Sequence, residues 1–264
     1  MPEVCVPMDP MNPGQFFACC GLWELFDLRG AEALARFEVD ERRQRQARFV
    51  LESGGKLSIA AAVGALREAK IEAIWDAANP HQERSIAPLR IAYDSASLEL
   101  DWWLDPFREK AERLKCWAGQ QTSLSIASEL KELLTADAGE ELLNYTAMTT
   151  TRFGVDPRSA WNATDVGYSP NEQGQEAATF PAVEMLAAVG LSGFRPEKPR
   201  ERSENEWYSY ALWPAPLPRV VARLACCAPW DGLGARAYQF RLGKRGNYKV
   251  FRFSQAQERS DTKS

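Results

Sequence analysis

Along residues 3–9 (EVCVPMD), apolar and polar positions alternate with the period of two that a strand requires. After Asn12-Pro13-Gly14 the pattern changes. Phe16, Cys19, Cys20, Leu22, Trp23, Leu25 and Phe26 make a wide apolar face over Gln15–Leu28, which predicts a helix packed on a sheet. Short strands are predicted at 36–40 (RFEVD) and 46–52 (QARFVLE), joined by a polar, arginine-rich turn. Gly54-Gly55 breaks the pattern, Leu57–Ala77 reads as a long alanine-rich helix, and a strand pair follows at 88–93 and 97–104. Strand, helix, strand, strand, helix, strand is the order of a split βαβ unit. The expected class is therefore α+β, with a ferredoxin-like antiparallel sheet. Two helices would cover one face of that sheet and leave the other free for a ligand, commonly RNA.

Residues 107–150 read as helical, most clearly at Ser123–Thr135 and Gly139–Met148. Residues 151–178 are a long irregular stretch carrying Phe153, Trp161 and Tyr168 beside Arg152 and Arg158, a composition that suits a functional loop. Thr179–Val189 is a short helix with Pro181 in its first turn, and 195–206 is a polar loop. Strands are expected at 207–213, 236–242 and 247–254, the last two turning at Lys244-Arg245-Gly246-Asn247. Val220–Cys227 fits a strand or a short helix. The expected organisation is an α+β core over 1–105, a helical and loop insertion over 106–180, and C-terminal strands over 181–264 that complete the sheet.

Composition adds limits. A chain of 264 residues, 45% hydrophobic, can bury a core without disulfides or a structural metal. The net charge of −4 hides an asymmetry: Arg219–Arg252 holds eight basic residues against one acid, Asp231. The rings interleaved there (Tyr238, Phe240, Tyr248, Phe251, Phe253) either stack bases or form core with the cations as solvated alternates, and composition favours the second. The cysteines (Cys5, Cys19, Cys20, Cys116, Cys226, Cys227) form no C-x-x-C, Cys19 and Cys20 read as small buried residues, and a reducing cytoplasm is expected. A basic segment leading into an apolar one is missing, and no apolar run nears 18 residues, so no membrane association is expected.

Catalytic chemistry finds little support. There is no G-x-S-x-G, and the single histidine, His81, follows Asn79-Pro80 in a polar loop. Gly54–Ser58 echoes a phosphate loop, but Val50 stands where the leading glycine belongs, and no G-x-G-x-x-G follows a strand. Carboxylate pairs such as Asp101 with Asp105, or Asp156 with Asp165, have no distinctive spacing. The expectation is no catalytic set, no cofactor and no metal. What remains is suited to binding phosphates. Arg42, Arg43, Arg45 and Arg48 cluster around the first strand turn, Arg152, Arg158 and Arg195 lie in loops near aromatics, and Lys244 and Arg245 occupy a hairpin tip. Phe153, Trp161 and Tyr168 are the candidates for stacking bases.

The run from Asp9 to Leu25 (DPMNPGQFFACCGLWEL) resembles the opening of a CRISPR-associated protein of type I-U (I-G) loci. Cys116–Gln121 (CWAGQQ), Arg152–Trp161 (RFGVDPRSAW), Phe194-Arg195-Pro196 and Tyr210–Pro218 (YALWPAPLP) are similar to it as well, so the resemblance spans residue 9 to about 225. It implies a subunit of a crRNA-guided surveillance complex, Cascade, in antiviral defence, with an RRM-like core. The implied partners are crRNA and/or target DNA, other Cascade subunits and the helicase-nuclease of the system. The subunit would be either large-subunit-like, touching target DNA and its flanking motif, or RAMP-like, holding crRNA. His81 does not match the catalytic histidine of a crRNA-processing RAMP, so a non-catalytic role is expected. The alternatives are a structural adaptor joining effector subunits and a metal-dependent nuclease.

Overall fold

The computed structural model describes residues 3–75, 83–93, 96–107, 110–118, 121–159, 174–197, 207–227, 234–245 and 247–257. The first sheet follows the alternation. Strands β1 (Glu3–Met8), β2 (Ala33–Val39) and β3 (Ala47–Ser53) pair antiparallel in the order β1-β3-β2. Helix α1 (Pro13–Leu28) connects β1 to β2 and is buried from Pro13 to Phe26. Such a helix must be covered on more than one side. The sheet covers one side, where Phe16 stacks on Phe37 with ring centroids 5.3 Å apart. A second helix, spanning Pro181–Gly193 and labelled α4 below, covers another, with Gly21 and Gly190 at the crossing. A methyl group on either glycine would collide with a backbone carbonyl of the opposite helix, Leu186 for Gly21 and Phe17 for Gly190.

The unit β1-α1-β2-β3 is the first half of a split βαβ, and the chain then departs from the expected order. The segment 57–77 is not one helix. Helix α2 (Ile59–Glu68), capped by Ser58 Oγ on the Ala61 N–H at 3.2 Å, gives way to β4 (Lys70–Ala73). Strand β4 pairs with β5 (Leu89–Tyr93), placing Ile71 opposite Ile91, and β5 pairs with β6 (Ala96–Leu100) in a separate three-stranded sheet. Pairing that buries Leu89, Ile91 and Leu100 overrides the helix preference of the alanine-rich run. The expected strand at 97–104 therefore lies in this second sheet and not beside β1.

In the middle of the chain, α3 (Ser123–Glu132) starts at a capping box between Thr122 and Ser125. The helix expected at Gly139–Met148 is replaced by a 3₁₀ segment, Ala136–Glu141, kinked where Gly139 takes φ +54°, and by β7 (Ala147–Thr149) paired with β8 (Ala177–Thr179). Helix α4 (Pro181–Gly193) begins at proline as expected. The C-terminal strands β9 (Trp207–Leu212), β11 (Arg236–Arg245), β12 (Tyr248–Phe251) and β13 (Gln255–Ala256) build their own antiparallel sheet instead of completing the first. The first sheet is reached by β10 (Leu217–Pro218), which pairs with β2, and by Trp213, whose carbonyl accepts from the Phe37 N–H at 2.8 Å. Arg219–Cys227 is a helix, α5, held to α1 because Arg219 and Arg223 both ion-pair with the buried Glu24. The class is thus α+β with several antiparallel sheets. No helix among the described residues is long and apolar enough to cross a membrane.

The first sheet's face away from α1 differs from an RNA-binding face. Register places Glu3, Arg36, Glu38, Arg48 and Glu52 there, while Phe37 and Phe49 point into the core. Arg36 ion-pairs with Glu3, Glu38 and Glu52, and Arg48 pairs with Glu38 at 2.6 Å. Each arginine on this face is answered by a carboxylate, and no ring stands ready for a base.

Candidate nucleic-acid interface

Two segments far apart in sequence, 9–17 and 152–158, meet in the structure. Asn12 is fully buried; its Oδ1 caps α1 on the Gln15 N–H at 3.2 Å, and its Nδ2 donates to Asp156 Oδ1 at 3.0 Å. Gly14 lies so close to the Val155 carbonyl that a methyl group there would sit 2.6 Å from its oxygen. Glu184 of α4 reaches the same loop, its carboxylate accepting from the backbone N–H groups of Gly154 at 2.9 Å and Asp156 at 3.1 Å. Gly154 holds φ +85° to present them. Burial, reinforced by the neighbouring Asp156 carboxylate, pushes the Glu184 carboxyl up to about 7. Replacing Asn12 with alanine removes a cap and an interior partner of Asp156 together. The expected loss is about 2 kcal/mol, measurable by urea unfolding.

Above this knot a cleft of about 860 Å³ opens between the β2–β3 turn and the 143–158 region. Arg45 reaches across it, donating from Nε and Nη2 to Asp9 Oδ2 at 2.9 and 2.6 Å, while its guanidinium lies 4.7 Å from the centroid of Phe253. Arg236 of β11 pairs with Glu41 at 2.8 Å, so the same turn leans on the C-terminal sheet at two points. At its tip Arg42 and Arg43 are exposed. Arg43 donates to Gln46 Oε1 at 3.1 Å and the Arg42 N–H donates to Asp40 Oδ1 at 2.9 Å, but among the described residues neither guanidinium pairs with a carboxylate. The chain matches no family model, no curated protein and no solved structure.

The candidates read from sequence divide sharply. Arg43 and Arg45 stand at the turn as expected, and Lys244 is exposed on β11. Phe153 cannot stack a base: it is fully enclosed among Trp102, Trp103 and Trp117. Arg158 is held inside the fold by Asp156, the Asn144 side chain and the Leu143 carbonyl, with its guanidinium 3.7 Å above the Phe180 ring. Arg195 is likewise committed, donating to Asp101 Oδ1 at 2.8 Å and to the Trp102 carbonyl at 3.2 Å. These three are structural, and loop position in the sequence concealed it. Arg152 is partly buried beside Glu184, whose carboxyl it draws down. Trp161, Tyr168 and His81 lie outside the described residues, as does the Arg245 side chain.

The basic C-terminal segment is also partly committed. Tyr238, Phe240 and Phe251 are core, as composition favoured. Arg219 and Arg223 serve Glu24, and Lys249, whose ammonium burial draws to lower pKa, donates to the Arg113 carbonyl at 2.8 Å. Arg241 remains exposed on β11, beside the Trp207 ring at 5.7 Å. Burial pushes Cys116 up to about 12 and also raises Cys19, Cys20 and Cys226, which leaves these four unsuited to attack, whereas a hydrogen bond with Cys226 draws Cys227 below its ordinary value. No group of three or more histidine, cysteine or acidic side chains among the described residues could hold a metal ion. Asp9, Gln15 and Phe253 were missed as site residues from sequence, although Asp9 and Gln15 frame the DPMNPGQ run that marked the region.

Proposed function

We propose that the chain is a non-catalytic, nucleic-acid-binding subunit of a crRNA-guided type I-U (I-G) CRISPR surveillance complex. One observation carries the binding role: the β2–β3 turn projects the guanidiniums of Arg42 and Arg43, beside Arg45, with no ion pair to either among the described residues. Unanswered guanidiniums on a braced turn suit phosphate, since the planar fork donates two parallel bonds. The resemblance of the 9–25 and 152–161 segments supports the CRISPR assignment, and their contact through Asn12 and Asp156 shows why both belong to one structural unit. A non-catalytic role is supported by the commitments of Glu24, Asp156 and Glu184 to interior partners. A ferredoxin-like ancestry is supported by β1-α1-β2-β3, with the ligand moved from the sheet face to the strand ends.

Titration against single-stranded RNA and duplex DNA across a salt series tests this reading. The double variant Arg42→Ala/Arg43→Ala is expected to flatten the slope of log affinity against log salt by about 1.5. Absence of binding at low salt, by the chain and by its reconstituted complex, sinks the proposal. A second reading, the structural adaptor, is favoured by Val220 and Leu224 on α5, 68% and 70% exposed one turn apart. It predicts that the complex binds nucleic acid with unchanged salt slope in the double variant.

A further inference from the structure

The cleft beside the turn is not itself a phosphate site. Three carboxylates, Asp9, Glu38 and Asp40, face it together with the guanidiniums of Arg45, Arg48 and Arg158. The cations there are already answered: Arg45 by Asp9, Arg48 by Glu38, Arg158 by Asp156. A polyanion would meet no surplus positive charge and would be repelled by the acids. The cleft offers a neutral ligand both donors and acceptors at fixed positions, including the amides of Gln46 and Asn144. Its volume of about 860 Å³ falls within the roughly 300–1,000 Å³ of small-ligand sites. Arg45 adds a flat surface. One guanidinium edge is on Asp9 and one face on Phe253, yet the side chain is 59% exposed, which leaves the other face for a planar ring.

The same turn supplies two chemistries within seven residues. Asp40, Arg45 and Gln46 line the cleft, while Arg42 and Arg43 between them are exposed and neither guanidinium ion-pairs among the described residues. That spacing suits a nucleotide whose base and phosphate are read separately. We propose that the cleft takes an unpaired nucleobase of a single strand, stacked on the Arg45 guanidinium and bonded along its edge by the polar walls, with the strand's phosphates outside on Arg42 and Arg43. The inference rests on the nucleic-acid reading above and narrows it: a base held in a cleft cannot be paired.

The test compares a short single-stranded RNA with an abasic ribose-phosphate oligomer of equal length, binding to the full chain. The wild type is expected to prefer the base-bearing strand by about tenfold. Val39→Trp, at a neutral position lining the cleft at the end of β2, fills it without changing charge and is expected to abolish that preference while leaving abasic binding unchanged. Asn144→Trp fills it from the opposite wall and replaces the first variant should that one unfold. Equal binding of the two oligomers by the wild type, or a preference that survives both fillings, overturns the proposal and leaves the nucleic-acid reading standing. Binding of neither oligomer at low salt removes that reading as well. Complete displacement of the strand by a free nucleoside 5′-monophosphate at equal base concentration would show a site for soluble nucleotide, also overturning it.

Discussion

Gly21→Ala is expected to cost the chain about 4 kcal/mol or more and to leave it unable to fold at physiological temperature. The reason is geometric. The added methyl group would fall on the Leu186 carbonyl oxygen, with the Gly190 N–H also in its way, and all of these atoms are backbone. No rotamer change relieves such a clash, so α1 and α4 must separate along their whole contact. The residues at the crossing, Phe17 and Gly21 on one helix and Leu186 and Gly190 on the other, are all buried. Gly64→Ala is the control. On α2 the nearest atom to the new methyl is Ala136 Cβ at 3.9 Å, and the gain in helix propensity is expected to stabilise the chain by about 0.5–1 kcal/mol. Thermal and urea melts of both variants decide the matter. A Gly21→Ala protein that melts with the wild type would refute the close crossing.

The second large effect concerns Glu184. Replacement by alanine leaves the N–H groups of Gly154 and Asp156 without an acceptor in the interior, an expected loss of about 3–4 kcal/mol. The pH dependence is more diagnostic. With its pKa raised from 4.5 to about 7, Glu184 in the native chain keeps a proton that the unfolded chain has already released. Its favourable contribution is complete below pH 4.5 and is lost as pH rises through about 7. The stability that disappears across this window is about 3 kcal/mol. Glu184→Gln cannot titrate, so the advantage of wild type over this variant should shrink by that amount between pH 4.5 and 7. A constant difference across the window would show that the carboxyl titrates normally.

How much of this was legible in the sequence depended on whether the information was local. The alternation at 3–9, the apolar run after Asn12 and the proline opening α4 state their elements within a few residues, and all formed near the expected bounds. The segment 57–77 did not, because Lys70–Ala73 becomes a strand only through Leu89–Ala92. Order along the chain likewise could not say that β6 joins a sheet other than that of β1. For the site, residue type was readable and commitment was not. Arg43 and Arg158 look alike in sequence; among the described residues the Arg43 guanidinium bonds only Gln46, while that of Arg158 is locked by Asp156. Phe153 sits in a segment without periodicity, where nothing but burial distinguishes a core ring from a stacking one.

The polar groups of α1 and of the turn before it bear on how the chain comes to be folded. Asn12 finds Asp156 across 144 residues, Pro10 receives the Tyr210 hydroxyl across 200, and Glu24 receives Arg219 across 195. On a ribosome Glu24 emerges 195 residues before Arg219. A nascent chain stopped before Arg219 would leave the Glu24 carboxylate without either arginine, a species suited to chaperones rather than to burial. Contacts of such sequence separation also make for slow folding. The polar groups of α1 are thus satisfied only once α5 has been made, and α5 acts as their clasp.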